Sequence, residues 1–275
     1  MNVFRIELED HSKTMELLDK LLLNSKVLFA ELEPIKTYDT TFSSSTNVRW
    51  HHTRIQTPEA WSIQTGSPDV KIGVVDSGVK WNHPDLSGRI WIDQSYYSTN
   101  PINWTNGTIS GQFGSFGINE NAVYWGDVMG WNFFENNNNP FQTGNGNPHG
   151  TIVAGVAVAS GTATGIAYTS KLISTKHSPF NNNPSAGISN AYAGVYYLVN
   201  KGVRIIVCSW GHDSFNNAGN LAVSYARAHG SLVIATAGNR LPESNLNTHG
   251  WETPRYPANF DDVIAVAATD LNDRR

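Results

Sequence analysis

Three polar residues, each standing directly beyond an apolar run, are the first candidates for chemistry. Asp76 closes VVDSGV, where a carboxylate behind an apolar strand is half buried, a costly place unless hydrogen bonds satisfy it. The Ser77-Gly78 turn that follows brings backbone N–H groups near it. His149 opens HGTIVAGVAVAS, a helix start of small residues in which Gly150, Ala154, Gly155 and Ala157 permit very close packing on a sheet. The helix dipole disfavours an imidazolium at that end, so the ring sits neutral and able to accept a proton. Asn239 closes ATAGN, and its amide can donate into a crevice beyond the strand ends. Ser209-Trp210-Gly211 closes another run in the same way. Each residue has a plain structural reading as well. Asp76 can cap a turn, His149 can be a satisfied core histidine, Trp210 can be core, and Asn239 can tolerate left-handed backbone after Gly238.

What must position these residues is a parallel sheet. Short β-branched runs occur at 70–76, 171–176, 203–209, 231–237 and 262–268. Between the later runs lie two amphipathic patterns, one through Ile188, Ala191, Tyr192, Val195, Tyr196 and Val199 and one through Ala218, Leu221, Ala222, Tyr225, Ala226 and His229. Continuous apolar strands alternating with such helices mean βαβ units and a buried parallel sheet, whose active residues gather at the carboxyl ends of the strands. The stretch from about 92 to 147 is rich in Asn, Gly and aromatics and reads mostly as loop, with the tip at Asn136 to Asn139. Residues 1 to about 38 read as strand, helix and strand: VFRIEL alternates, Leu17, Leu18, Leu21 and Leu22 share a helix side, and KVLFAELEPI alternates again. A unit of that length cannot bury a core of its own and must pack on something else.

Composition removes several function classes. The chain has 275 residues, 19 Lys plus Arg against 23 Asp plus Glu, and a net charge of −4, which argues against a nucleic-acid partner. Only 15% of residues are charged while 24 are Gly and 29 are Asn, so the surface is built from polar loops. The lone cysteine, Cys208, excludes an intrachain disulfide and a cysteine zinc site. His51 and His52 are adjacent and no HExxH occurs, which argues against a zinc hydrolase. No GxGxxG or Walker pattern follows a strand, which argues against a nucleotide site despite Gly161 and Gly165. No apolar run approaches the roughly 18 residues of a helical membrane span.

Taken in order, VKIGVVDSGVKWNHPDL, PHGTIVAGVAVAS, VRIIVCSWG, LVIATAGN and RYPANFDDVIAVAATD resemble the subtilisin-like serine protease family from about Trp50 onward. The resemblance implies a three-layer α/β fold, a mostly parallel sheet flanked by helices, and serine-type endopeptidase activity on polypeptides. By motif it implies that Asp76 orients His149, that His149 takes the proton of a serine, and that Asn239 donates to the oxyanion. It places substrate backbone against Ser209, Trp210 and Gly211, with Thr236, Ala237 and Gly238 as the opposite wall. Residues 1–40 look like part of an inhibitory propeptide, 41–48 like a linker, and 49–275 like a C-terminally truncated peptidase domain. The expected partners are peptide substrates and the chain's own propeptide segment, in a monomer without a membrane span. The family implies a secreted or cell-envelope protein, although MNVFRIELEDHSK carries no signal-peptide core.

The sequence departs from the family's pattern in three places. No GTSMA turn occurs, and the only serine after Asn239 is Ser244, in PESNLN, so the nucleophile is expected to be missing and the chain inactive as it stands. A non-catalytic pseudoprotease or peptide-binding module is the alternative. Ile152 stands where relatives carry a second His, one that is not the proton-transfer base. No cofactor is required for the chemistry. Asp85 matches a calcium-ligating carboxylate of some relatives and is the metal candidate, although SGTATG, the facing loop, is short and has no Asn. Asp213 reads as a solvated loop residue, or else as an acid favouring a basic substrate side chain.

Overall fold

Runs of β-branched residues too apolar to face water on either side have one stable arrangement, a parallel sheet covered on both faces. The computed structural model describes residues 4–6, 8–32, 37–38, 50–93, 103–105, 108–110, 124, 127–142, 148–179, 187–238 and 254–274. Its elements in chain order are α1 (Thr14–Leu22), β1 (Thr37–Tyr38), α2 (Trp50–Arg54), α3 (Thr57–Trp61), β2 (Lys71–Asp76), β3 (Asn103–Thr105), β4 (Thr108–Ser110), β5 (Gly130–Asn132), α4 (His149–Val158), β6 (Lys171–Lys176), α5 (Ala191–Asn200), β7 (Ile205–Cys208), β8 (Trp210–Gly211), α6 (Asn217–Ala228), β9 (Leu232–Thr236) and β10 (Val263–Val266). All five runs read as strands are strands, and the three amphipathic or small-residue patterns are helices.

The main sheet has six strands in the order β10-β9-β7-β2-β6-β5, and every pairing within it is parallel. After β2 the chain builds β5 and β6 on one side and then crosses to build β7, β9 and β10 on the other. That reversal beside β2 opens a crevice at its carboxyl end, the place where such sheets bind ligands. Alternation along β2 feeds two cores. Val75 joins Tyr192, Val195 and Leu198 of α5 and Ala222 and Ala226 of α6 on one face, while Ile72 and Val74 join Ala154 and Val158 of α4 on the other. The result is the expected three-layer α/β fold. Gly73 permits the first contact, because a Cβ there would lie 2.6 Å from Leu198 Cδ1.

Two features inside the 92–147 stretch are strands rather than loop. β5 is the sheet's edge, and β3 and β4 form a separate antiparallel hairpin. At the opposite edge β10 is half open to solvent, with Ile264 47% and Val266 49% exposed.

The N-terminal unit differs from its sequence reading. Neither residues 4–6 and 8 nor residues 27–32 form strand, and the rest of both runs lies outside the described residues, as does the linker at 41–48. The helix is present as α1, but it buries no residue, and Leu22 and Leu23 are exposed. Among the residues of this unit whose side chains are described, none is buried. The contacts described are polar: β1 pairs antiparallel with β8, Thr37 opposite Gly211 and Tyr38 opposite Trp210. The Glu31 carboxylate accepts from the Asn217 N–H at 3.0 Å, the Asn217 side-chain amide at 3.2 Å and the Ala218 N–H at 2.9 Å. A carboxylate on these first N–H groups of α6 also meets the positive end of the helix dipole. Replacing Glu31 by Ala is expected to weaken the attachment by about 1 kcal/mol. Hydrogen exchange checks it: the Ala218 and Gly211 amides should exchange several-fold faster, and unchanged protection would mean the unit is held elsewhere.

Candidate active site

The carboxyl end of β2 delivers Asp76, and the amino end of α4 delivers His149. Close approach of the two elements depends on Gly150, where a Cβ would collide with the Gly78 carbonyl oxygen and come within 3.0 Å of Asp76 Cβ. Ala154 continues the contact and is fully buried, whereas Gly155, expected to do the same, faces open space. His149 Nδ1 lies 2.7 Å from Asp76 Oδ1 and 2.8 Å from Oδ2, with the two side chains 3% and 0% exposed. The Ser77 N–H also donates to Asp76 Oδ1, at 2.6 Å, and the Gly150 N–H donates to Ser77 Oγ at 3.0 Å. Ser77 thus links the strand end to the helix start, a role the sequence reading gave only to the turn's backbone.

This geometry bears on the tautomer of the ring. A carboxylate facing Nδ1 fixes the tautomer with its proton on Nδ1, leaving Nε2 as the basic nitrogen. At the neighbouring strand end Cys208 is fully buried, and burial with the nearby Asp76 charge pushes its thiol far above the ordinary range. It is not a rival nucleophile. On the other side of β2, in register with Asp76, Lys176 is buried and donates to Glu135 at 2.8 Å and to the Ser178 carbonyl at 2.6 Å. Burial lowers its pKa while Glu135 raises it.

Past the end of β7, Ser209 and β8 form one wall of the crevice. The Trp210 side chain is core: it is fully buried, and its Nε1–H donates to the Val75 carbonyl at 2.9 Å. Only its backbone belongs to the groove edge, where β1 pairs with it. Past β9, Ala237 and Gly238 form the facing wall. Ala237 N–H donates to Val266 at 2.8 Å, and Gly238 adopts φ +100° with its N–H on Thr236 Oγ1 at 3.1 Å. Asn239 and Ser244 lie outside the described residues. Arg255, which opens the RYPANF motif but was given no role there, crosses between the walls. A Cβ on Gly211 would meet its Cγ at 2.8 Å, and one on Gly238 its Cδ at 2.9 Å. Its guanidinium donates to Asp213 at 3.0 Å, so Asp213 is an ion-pair partner rather than a solvated loop acid.

Asp85, the metal candidate, meets backbone donors. Its two oxygens accept the Thr162 and Ala163 N–H groups at 2.9 and 3.0 Å, and these hold its carboxyl below the ordinary range. Among the described residues no cluster of three His, Cys, Asp or Glu could hold a metal. No helix among them is long and apolar enough to cross a membrane.

The sheet is doubly wound and holds a buried Asp–His pair at its switch point. Residues 67–275 match the model of the subtilase family, peptidase S8, and the chain belongs to that family. It is 34% identical over 224 residues to thermitase of Thermoactinomyces vulgaris, covering 81% of this chain and 62% of that protein. It is 29% identical to the thermophilic serine proteinase of Bacillus sp. (strain AK1), covering 79% of this chain and 43% of that one. The chain thus spans less than two thirds of either relative's length. The crystal structure of fervidolysin from Fervidobacterium pennivorans, a keratinolytic enzyme related to subtilisin, superposes with a TM-score of 0.53 at 22% identity, over 77% of this chain and 26% of that one. That likeness concerns the fold.

The paired geometry predicts the state of the imidazole. In 15N-resolved NMR, His149 should carry its proton on Nδ1, and Asp76→Asn should shift the population toward the Nε2–H form, since an amide can donate where a carboxylate only accepts. An Nε2–H tautomer in the unaltered protein would overturn the assigned role of Asp76.

Proposed function

We propose that this chain carries the acid–base half and the substrate groove of a serine-type endopeptidase acting on polypeptides. The observation that carries the reading is the buried contact of His149 with Asp76 beside an edge strand, β8, already engaged by an extended segment of peptide. In this reading His149 Nε2 takes the proton from an attacking hydroxyl and returns it to the leaving amine. Asp76 holds the ring and stabilises the imidazolium, while Asn239 donates to the oxyanion. Substrate backbone pairs with β8 as β1 does, so residues 1–40 act as an inhibitory propeptide segment that occupies the groove. Family membership supports a secreted or cell-envelope site of action. The monomeric state is part of the same proposal.

The nucleophile is the missing part, since these 275 residues contain no Gly-Thr-Ser-Met-Ala turn and Cys208 is inert. The chain of 275 residues should therefore show no acyl-enzyme burst and no labelling by serine-directed phosphonates. Stoichiometric labelling, with the modified residue found by mass spectrometry, would overturn this reading. The intact dyad is what favours a protease part over a non-catalytic binding module, which has no use for the pair.

For Asp85 we propose a lock on the 160–164 loop that works without calcium. A carboxylate whose pKa is depressed in the fold stabilises it above the ordinary carboxylate range, and that contribution is lost as pH falls through the lowered value. Asp85→Asn should lower the melting temperature at neutral pH, with the gap to the unaltered chain closing below about pH 4. Chelator should leave both melting temperatures unchanged. An Asp85-dependent rise on adding calcium would restore the metal reading.

A further inference from the structure

The groove holds a cation that the hydrolytic chemistry does not use. The stem of Arg255 fills the gap between Gly211 and Gly238, two positions where any side chain would collide with it. Arg255 is 13% exposed and its partner Asp213 39%, so the ion pair opens to solvent from the Asp213 side. The direction of β1 says which part of a peptide comes here. Thr37 lies opposite Gly211 and Tyr38 opposite Trp210, so a peptide in this register runs toward Ser209 and the dyad. Directly opposed residues project to the same face and faces alternate along a strand. Trp210 points into the core, while the Cβ direction of Gly211 points at Arg255. The peptide residue opposite Ser209, two steps along from the one opposite Gly211, therefore projects to the Arg255 face.

We propose that Arg255 is the specificity-determining residue of this groove, and that the groove takes peptides with an acidic side chain, Asp or Glu, opposite Ser209. This rests on the peptide-groove reading above and names its substrate class. The stem leaves little room for a bulky aromatic side chain, and the guanidinium rewards a carboxylate with charge-assisted hydrogen bonds. Asp213 already demonstrates the fit at 3.0 Å and holds the place that a substrate carboxylate takes by exchange. The chain's own sequence agrees, since Thr37-Tyr38 is followed by Asp39.

The test uses the 275-residue chain carrying Thr37→Pro, which removes a donor from the resident pairing. Acetyl-Lys-Thr-Tyr-Xaa amides with Xaa as Asp, Asn, Leu or Lys are titrated in, and the Gly211 and Trp210 amide resonances report binding. The Asp peptide should bind at least tenfold more tightly than the Asn and Lys peptides. Arg255→Gln should abolish that preference, bringing the Asp peptide's affinity down to that of the Asn peptide. Asp213→Asn should tighten the Asp peptide several-fold by removing its competitor, whereas a purely structural ion pair predicts looser binding of every peptide. Binding without an Asp preference, or loosening by Asp213→Asn, overturns this proposal and leaves the groove standing. If no peptide moves the β8 resonances, the groove reading itself fails and takes this proposal with it.

Discussion

A carboxylate with no exposed surface is the constraint on which the site depends. Asp76 cannot keep its charge at the end of an apolar strand unless donors surround it, and the sequence supplies them from two directions. One is its own turn, through the Ser77 N–H, and the other is the imidazole brought in by α4. The second demands that a helix start touch a strand end, and the pairing of small residues follows from that demand. Gly150 lies where any side chain would strike the Gly78 carbonyl. The same requirement ties Ser77 to Gly150 and so couples the catalytic geometry to the packing of the α4 layer. Stability and chemistry at this corner are one arrangement of hydrogen bonds.

Much of this was readable before any coordinates because it is written in long, repetitive signals. Strands buried on both faces need continuous β-branched residues, and five such runs stand out from a polar chain. Asp76 and His149 were legible because each is a polar residue abutting such a run in a motif of small residues. What escaped is short or non-local. β5 has three residues, Gly130–Asn132, and its membership in the sheet depends on Ser174, Thr175 and Lys176 offering an edge. The alternating runs near the N-terminus promised strands, but alternation makes a strand only where a partner edge exists, and 27–32 has none. Arg255 stood at the start of a quoted motif without a role: one arginine in a loop becomes part of a groove only when β8 and the end of β9 stand side by side. For Asp85 the motif supplied the residue without the groups that meet it, and the Thr162 and Ala163 N–H donors come from a loop far along the chain.

The contacts described between the N-terminal unit and the rest of the chain are polar. A hydrophobic interface would be insensitive to conditions and slow to part, whereas one short backbone ladder and one carboxylate on a helix start are modest and reversible contacts. The charge of Glu31 also makes that contact depend on ionic strength.

The position of β2 in the sheet has a consequence for biosynthesis. Ile72 pairs with Ile205, and Lys71 with Lys171, so the central strand acquires its neighbours only after most of the chain has been made. Translation delivers α4 before either neighbour, and pairings this distant in sequence close slowly because their loops must close first. On the ribosome, then, Asp76 and His149 emerge long before the wall at Ser209 to Gly211 that would hold a peptide against them. A nascent chain therefore carries the Asp76–His149 pair before the strand ends that face it have formed.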